Sequence, residues 1–132
     1  MSKEKLPYAK RYQDLLAYSK SLWLAEMIYK ETKSFPKEEI YSLTDQLRRA
    51  SRSVGAQVAE AWGKRMYIRH FISKLTDASA ELNETEHWLD IAHKCSYISD
   101  STRKELIDLC NEINRLVNGM IAKANYFCEN GK

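Results

Sequence analysis

Four stretches of the chain repeat apolar side chains at three- and four-residue steps, the spacing that gathers one face of an α-helix. The first runs from about Asp14 to Lys33, where Leu15, Leu22 and Tyr29 recur at seven and Leu16, Trp23 and Met27 form an adjacent row. These rows are expected to make its core face. The segment stops at Ser34-Phe35-Pro36, because proline disfavours helix in the residue before it and suits the start of the next. The second segment, about Lys37 to Trp62, carries Leu43, Leu47, Ala50, Val54, Val58 and Ala61 within a narrow arc, and Gly63 ends it. The third, about Met66 to His93, carries Ile68, Phe71, Ile72, Leu75, Ser79, Leu82, Glu86 and Leu89. After the break Cys95-Ser96-Tyr97-Ile98, Ser99 or Asp100 is a plausible N-cap for the fourth. That last segment carries Leu106, Leu109, Ile113, Leu116, Val117, Met120, Ile121 and Ala124, and reaches about Phe127.

Amphipathic helices joined by short connections pack as antiparallel neighbours, so the pattern predicts an all-α, up-down antiparallel four-helix bundle. Composition agrees. Four glycines and two prolines in 132 residues leave too few turn residues for a sheet protein. There is no linker or low-complexity segment, and residues 1–132 read as a single domain. Three cysteines, Cys95, Cys110 and Cys128, show no short-spaced pair and read as reduced thiols. With no signal-like start and no apolar run long enough for a membrane span, the expectation is a cytoplasmic protein.

Charge changes the picture, because the net +3 is unevenly spread. Between Arg48 and Arg69 stand Arg48, Arg49, Arg52, Lys64, Arg65 and Arg69 against one acid, Glu60; from His70 onward acids outnumber bases by three. Arg48, Arg49 and Arg52 point away from the Leu47–Val54–Val58 stripe and read either as a solvated face or as a surface for a polyanion. Gly55, Ala56 and Ala59 continue the same back face. Small residues let a second helix approach, so these three, with the off-stripe Trp88, are candidate contacts for another copy of the chain. Trp88 could instead pad a broad core. A cyclic assembly would repeat the local positive charge around its axis, where it could hold RNA or DNA by its phosphates or an acidic protein. Trp62 and Tyr67 flank the basic loop and could stack on an unpaired base, or simply be buried. No nucleic-acid-reading motif is present, so any such contact would be sequence-independent.

The run Phe35 to Glu60 resembles the 23S rRNA intervening-sequence proteins, a four-helix-bundle family. Phe35, Pro36, Glu39, Tyr41, Leu43, Gln46, Arg48, Arg49, Ala50, Ser53 and Val54 match its pattern. Its closing Asn-Ile-Ala-Glu-Gly appears as Gln57-Val58-Ala59-Glu60-Ala61, with Gln57 and Ala61 replacing Asn and Gly. Tyr12–Tyr29 and Ala78–Ala92 are similar to the family's first and third helices. The resemblance implies a bundle that assembles as a homopentamer. A related group, the accessory proteins of diversity-generating retroelements, forms basic pentameric barrels that bind reverse transcriptase and RNA. Tyr41, Gln46 and Glu60 read either as a polar network ordering helix ends or as a partner site.

Catalytic chemistry is not specified. Glu84-x-x-His87 has di-iron ligand spacing, but its nearest echo, Asp90-x-x-His93, lies on the same helix and cannot converge with it. Glu81, Glu84, Glu86 and Asp90 read as exposed or interfacial acids that could face another copy's basic belt, and His93 as an end-of-core residue. Cys110 and Cys128 fall beside apolar positions, where cysteine behaves as a small hydrophobe. No phosphate-binding glycine loop or nucleophile elbow occurs. The expectation is a non-enzymatic bundle without metal or cofactor that binds nucleic acid or a nucleoprotein. The alternatives are a structural or protein-interaction module, or an accessory subunit of a reverse transcriptase.

Overall fold

The computed structural model describes residues 9–128. Among them there is no strand, and four long helices form a bundle: α1 (Leu16–Thr32), α2 (Leu43–Gly63), α3 (Ile68–Lys94) and α4 (Asp100–Ala122). A short α5 (Ala124–Cys128) follows, and single 3-10 turns stand at Tyr12–Asp14 and Lys37–Glu39. Cross-helix contacts run in opposite residue order. Thr32 meets Arg48 while Ser21 faces Gly55, and Asp90 meets Arg103 while Ser79 meets Asn114. Lys20 reaches Glu112 at 3.1 Å and closes the ring between α1 and α4. Lys74 of α3 meets Gln57 and Glu60 of α2 across the short connection of residues 64–67, so each helix is antiparallel to its neighbours in the chain.

The core face of α2 holds as its spacing predicts, with Leu43, Leu47, Ala50, Val54, Val58 and Ala61 all buried. On α3 the buried row is Phe71, Leu75, Ala78, Leu82, Thr85, Leu89 and Ala92, flanked by the half-buried Ile68, Ile72, Ser79 and Glu86. Helix α4 buries Leu106, Leu109, Cys110, Ile113, Val117 and Met120. Ser99 is its N-cap, accepting a hydrogen bond from the Thr102 amide at 3.1 Å. Helix α3 ends in a left-handed residue, Ser96, at φ 64°. There the Tyr97 amide donates to Ala92 and the Ser96 amide to His93, satisfying carbonyls the helix end would leave open.

Three expectations need correction. The core face of α1 is neither of the expected rows, of which only Leu15, just ahead of the helix, is buried and Met27 half-buried against the core. It is Ala17, Ser21, Leu24, Ile28 and Thr32, about a third of a turn away, while Leu16, Leu22, Trp23 and Tyr29 are exposed. The hydroxyls tolerate burial because each donates to its own helix, Ser21 Oγ to the Ala17 carbonyl at 2.6 Å and Thr32 Oγ1 to that of Ile28 at 2.8 Å. Helix α2 starts at Leu43, not Lys37, because a separate 3-10 turn comes first. Glu39 ties that turn down, accepting from the Leu43 amide at 3.4 Å and from Tyr97 Oη at 2.9 Å. The last helix also breaks, at Lys123, before α5.

Candidate nucleic-acid interface

Helical geometry divides the six candidate cations. Arg48, Arg49 and Arg52 lie in the first half of α2, while Lys64 and Arg65 follow its end and Arg69 opens α3. Roughly 18 Å of helix separates Arg52 from Lys64. The two groups therefore form two basic clusters joined by α2, not one continuous patch.

The first cluster gathers on α1. The Arg48 guanidinium lies 4.6 Å from the centroid of the Tyr29 ring, Lys33 Nζ 4.9 Å and Arg52 5.8 Å. Arg48 Nε also donates to Thr32 Oγ1 at 2.7 Å, so its half-buried side chain is held from two directions. Arg49 differs, since its Nε sits 2.9 Å from the Asp45 carboxylate and its charge is largely matched. In the second cluster, Arg65 lies 3.5 Å over the Trp62 ring and donates to the Trp62 carbonyl at 2.8 Å. Lys64 and Arg69 extend into solvent beside the exposed Tyr67, whose ring leans on His70. Among the described residues, none of Lys33, Arg48, Arg52, Lys64, Arg65 or Arg69 has a carboxylate within ion-pair distance, whereas Lys20, Lys30, Arg49, Lys74, Arg103 and Lys104 do.

Tyr29, Thr32 and Lys33 escaped the sequence reading, which placed Tyr29 in the core. Two i,i+4 pairs, Tyr29–Lys33 and Arg48–Arg52, carry the signal. Only the register between α1 and α2 brings the pairs together.

Three of the four candidate contacts with another copy, Gly55, Ala56 and Ala59, line a groove of about 350 Å³ between α1 and α2. Gly55 is buried, and a methyl there would meet Ser21 Cβ at 3.5 Å and Tyr18 at 3.6 Å, so its approach is to α1 of its own chain. Ala56 is exposed and Ala59 half-buried, opposite Leu22 and Ala25, with Arg52 among the lining residues. Trp88 does not lie opposite the core. It is half-buried and packed against it, with its indole N–H donating to Glu84 at 3.1 Å. A second groove, about 450 Å³, runs between α1 and α4 over Trp23, Met27 and Leu109. Two of its acids are already paired, Asp108 with Lys104 and Glu112 with Lys20.

The remaining polar candidates are dispersed. Tyr41 is 93% exposed, and Glu60 instead pairs with Lys74 at 2.9 Å, so Tyr41, Gln46 and Glu60 form no shared network. That Lys74 bond pulls the Glu60 carboxyl below its ordinary range. Lys74 also donates to Gln57 at 3.4 Å, so the position where the family carries Asn links α2 to α3 here. Ala61, in place of the family's Gly, is fully buried. Asp90 is held by Arg103, His93 by Asp100, and burial raises the carboxyls of Glu81 and Glu86. Burial pushes the Cys110 thiol up to about 12. No group of three or more His, Cys, Asp or Glu among the described residues is placed to hold a metal ion, and no helix among them is long and apolar enough to cross a membrane.

A bundle of four long helices with one basic cluster in the first half of α2 and another at the α2–α3 connection defines a class of small all-α protein. Residues 13–119 match the model of the 23S rRNA-intervening sequence protein family, and the chain belongs to that family. It is also similar to a solved structure from Bacteroides thetaiotaomicron VPI-5482, a protein with unknown function from the S23 ribosomal protein family. The identity is 30% and the TM-score 0.74, over 81% of this chain and 96% of that one. No curated protein matches the chain.

Proposed function

We propose that this protein is a non-enzymatic, homo-oligomeric bundle, a pentamer as the family resemblance implies, that binds RNA or DNA through basic clusters repeated around the assembly. The observation that carries the reading is that, among the described residues, Lys33, Arg48, Arg52, Lys64, Arg65 and Arg69 have no carboxylate within ion-pair distance, whereas seven of the other twelve lysines and arginines do. Unpaired cations held against aromatic faces suit phosphates, whose binding releases counterions and needs no base contact. Tyr67, 60% exposed beside Arg69, offers a stacking surface for an unpaired base. For self-association, support comes from α1, which exposes Leu16, Leu22 and Trp23, Leu22 in the small-residue groove against α2 and Trp23 in the groove against α4.

Affinity for a fluorescent single-stranded RNA should fall steeply as salt rises, with the slope dropping by about 0.7 for each phosphate contact removed. Arg48→Glu with Arg52→Glu should weaken binding and flatten that slope. Arg49→Glu should do much less, because Asp45 already offsets its charge. Binding that ignores salt, or survives reversal of all six candidate charges, would sink the reading. The second reading, a protein-interaction module or an accessory subunit of a reverse transcriptase, is favoured by the exposed apolar side chains Leu16, Leu22 and Trp23, which suit a protein surface. It expects an acidic protein to be captured with no RNA or DNA bound at any salt.

A further inference from the structure

We infer that Lys33, Arg48 and Arg52, converging on Tyr29 where the end of α1 meets the start of α2, form a discrete seat for a single phosphate group. The inference deepens the nucleic-acid reading and names one subsite within it. Three cations lie within 6 Å of one ring centroid, and no carboxylate among the described residues pairs with any of them. The nearest acids in sequence are engaged or turned away. Glu26 pairs with Lys30 and Asp45 with Arg49, while Glu31, two residues past Tyr29, projects from the other side of α1. The carbonyl end of α1 supplies roughly half a negative charge, which offsets only a fraction of the three.

The seat is preset. Thr32 Oγ1, buried at 2% exposure, takes the Arg48 Nε–H and hands its own proton to the carbonyls of Ile28 and Tyr29. The Nη side of the guanidinium has no acceptor among the described residues. A guanidinium fixed at its Nε and held over a ring presents its remaining fork with little ordering left to do, which favours bidentate phosphate binding. Arg52 and Lys33 then bring two further charges to the same anion. The second cluster lacks this convergence. Arg65 is anchored alone on Trp62, and neither Lys64 nor Arg69 is drawn to that ring.

The test is an NMR titration of isotope-labelled full-length protein at low salt with inorganic pyrophosphate, and in parallel with an RNA oligonucleotide lacking terminal phosphate. Pyrophosphate should saturate, moving the Arg48 and Arg52 Nε–Hε signals and the Tyr29 ring while leaving those of Arg65 and Arg69 in place. Arg48→Gln with Arg52→Gln should weaken it by roughly tenfold or more. Lys33→Gln, at an exposed position, gives a second and milder variant whose fold is not at issue. Shifts spread equally over both clusters, or saturation unchanged in the variants, would overturn the seat. Pyrophosphate bound without RNA would keep the seat and remove the nucleic-acid reading. RNA bound without pyrophosphate would do the reverse.

Discussion

A thiol reacts as its thiolate, so environment sorts the three cysteines into different reagents. Cys95 is exposed just past α3, whereas Cys110 is buried with its thiol pushed up to about 12, mainly by loss of water and secondarily by Glu86. Burial raises Cys128 as well, with Arg65 opposing in part. One of the three should therefore label rapidly with a thiol–disulfide reagent in the native protein, and the other two only at the rate of unfolding. Fast labelling of a second thiol would mean the α3–α4 or α5 packing is looser than described. Cys110 and Cys128 are the residues whose character was most legible in the sequence, because each stands beside a regular apolar row. Tyr29 and Tyr41 were the least. A tyrosine serves equally in a core or at a surface, and which one depends on the rotation of one helix against another, which spacing within a helix does not encode.

At the scale of elements, α1 and α2 contrast. The apolar residues of α2 occupy one arc, so its core face could be read without ambiguity, and all six of its stripe residues are buried. Those of α1 spread around most of the helix, and the face it buries carries Ser21 and Thr32, which a hydropathy pattern counts against burial. Small side chains win there because they let α1 lie close to Gly55. How close is testable. A methyl at Gly55 finds ordinary contact distances, 3.5 Å to Ser21 and 3.6 Å to Tyr18, and glycine is an inferior helix former. Gly55→Ala should accordingly raise stability by about 0.5–1 kcal/mol. Gly55→Leu should lower it by about 1–3 kcal/mol, since the longer side chain must push α1 outward. Urea unfolding midpoints distinguish the two. A loss from alanine would show that the helices meet more tightly than these distances allow.

For the whole molecule, the bundle was legible but the distribution of its outer surface was not. Short connections and four amphipathic periods leave few alternatives to an antiparallel bundle. Which surface stays unsatisfied depends on the face α1 turns inward. Once Ala17, Leu24 and Ile28 go to the core, Leu16, Leu22 and Trp23 are left outside, with Leu22 in the groove that Ala56 and Ala59 line and Trp23 in the groove against α4. Exposed apolar side chains such as Leu22, beside the small residues Ala56 and Ala59, suit a contact with a second molecule. If copies meet there, the seat at Arg48 and Arg52 is repeated at the edge of each contact, because Arg52 lines the same groove. Assembly and anion binding are then coupled through geometry. Ala56→Glu replaces an exposed alanine on a helix and should leave an isolated chain folded, with its helical circular dichroism intact. In sedimentation it should move the protein from an oligomer toward the single-chain mass, and Leu22→Glu should do the same. Both should also lower affinity for long RNA more than for pyrophosphate, since dissociation separates the clusters without altering any one of them. A wild-type protein that sediments as a single chain at micromolar concentration would detach the cation clusters from one another, leaving each Tyr29 seat to act alone.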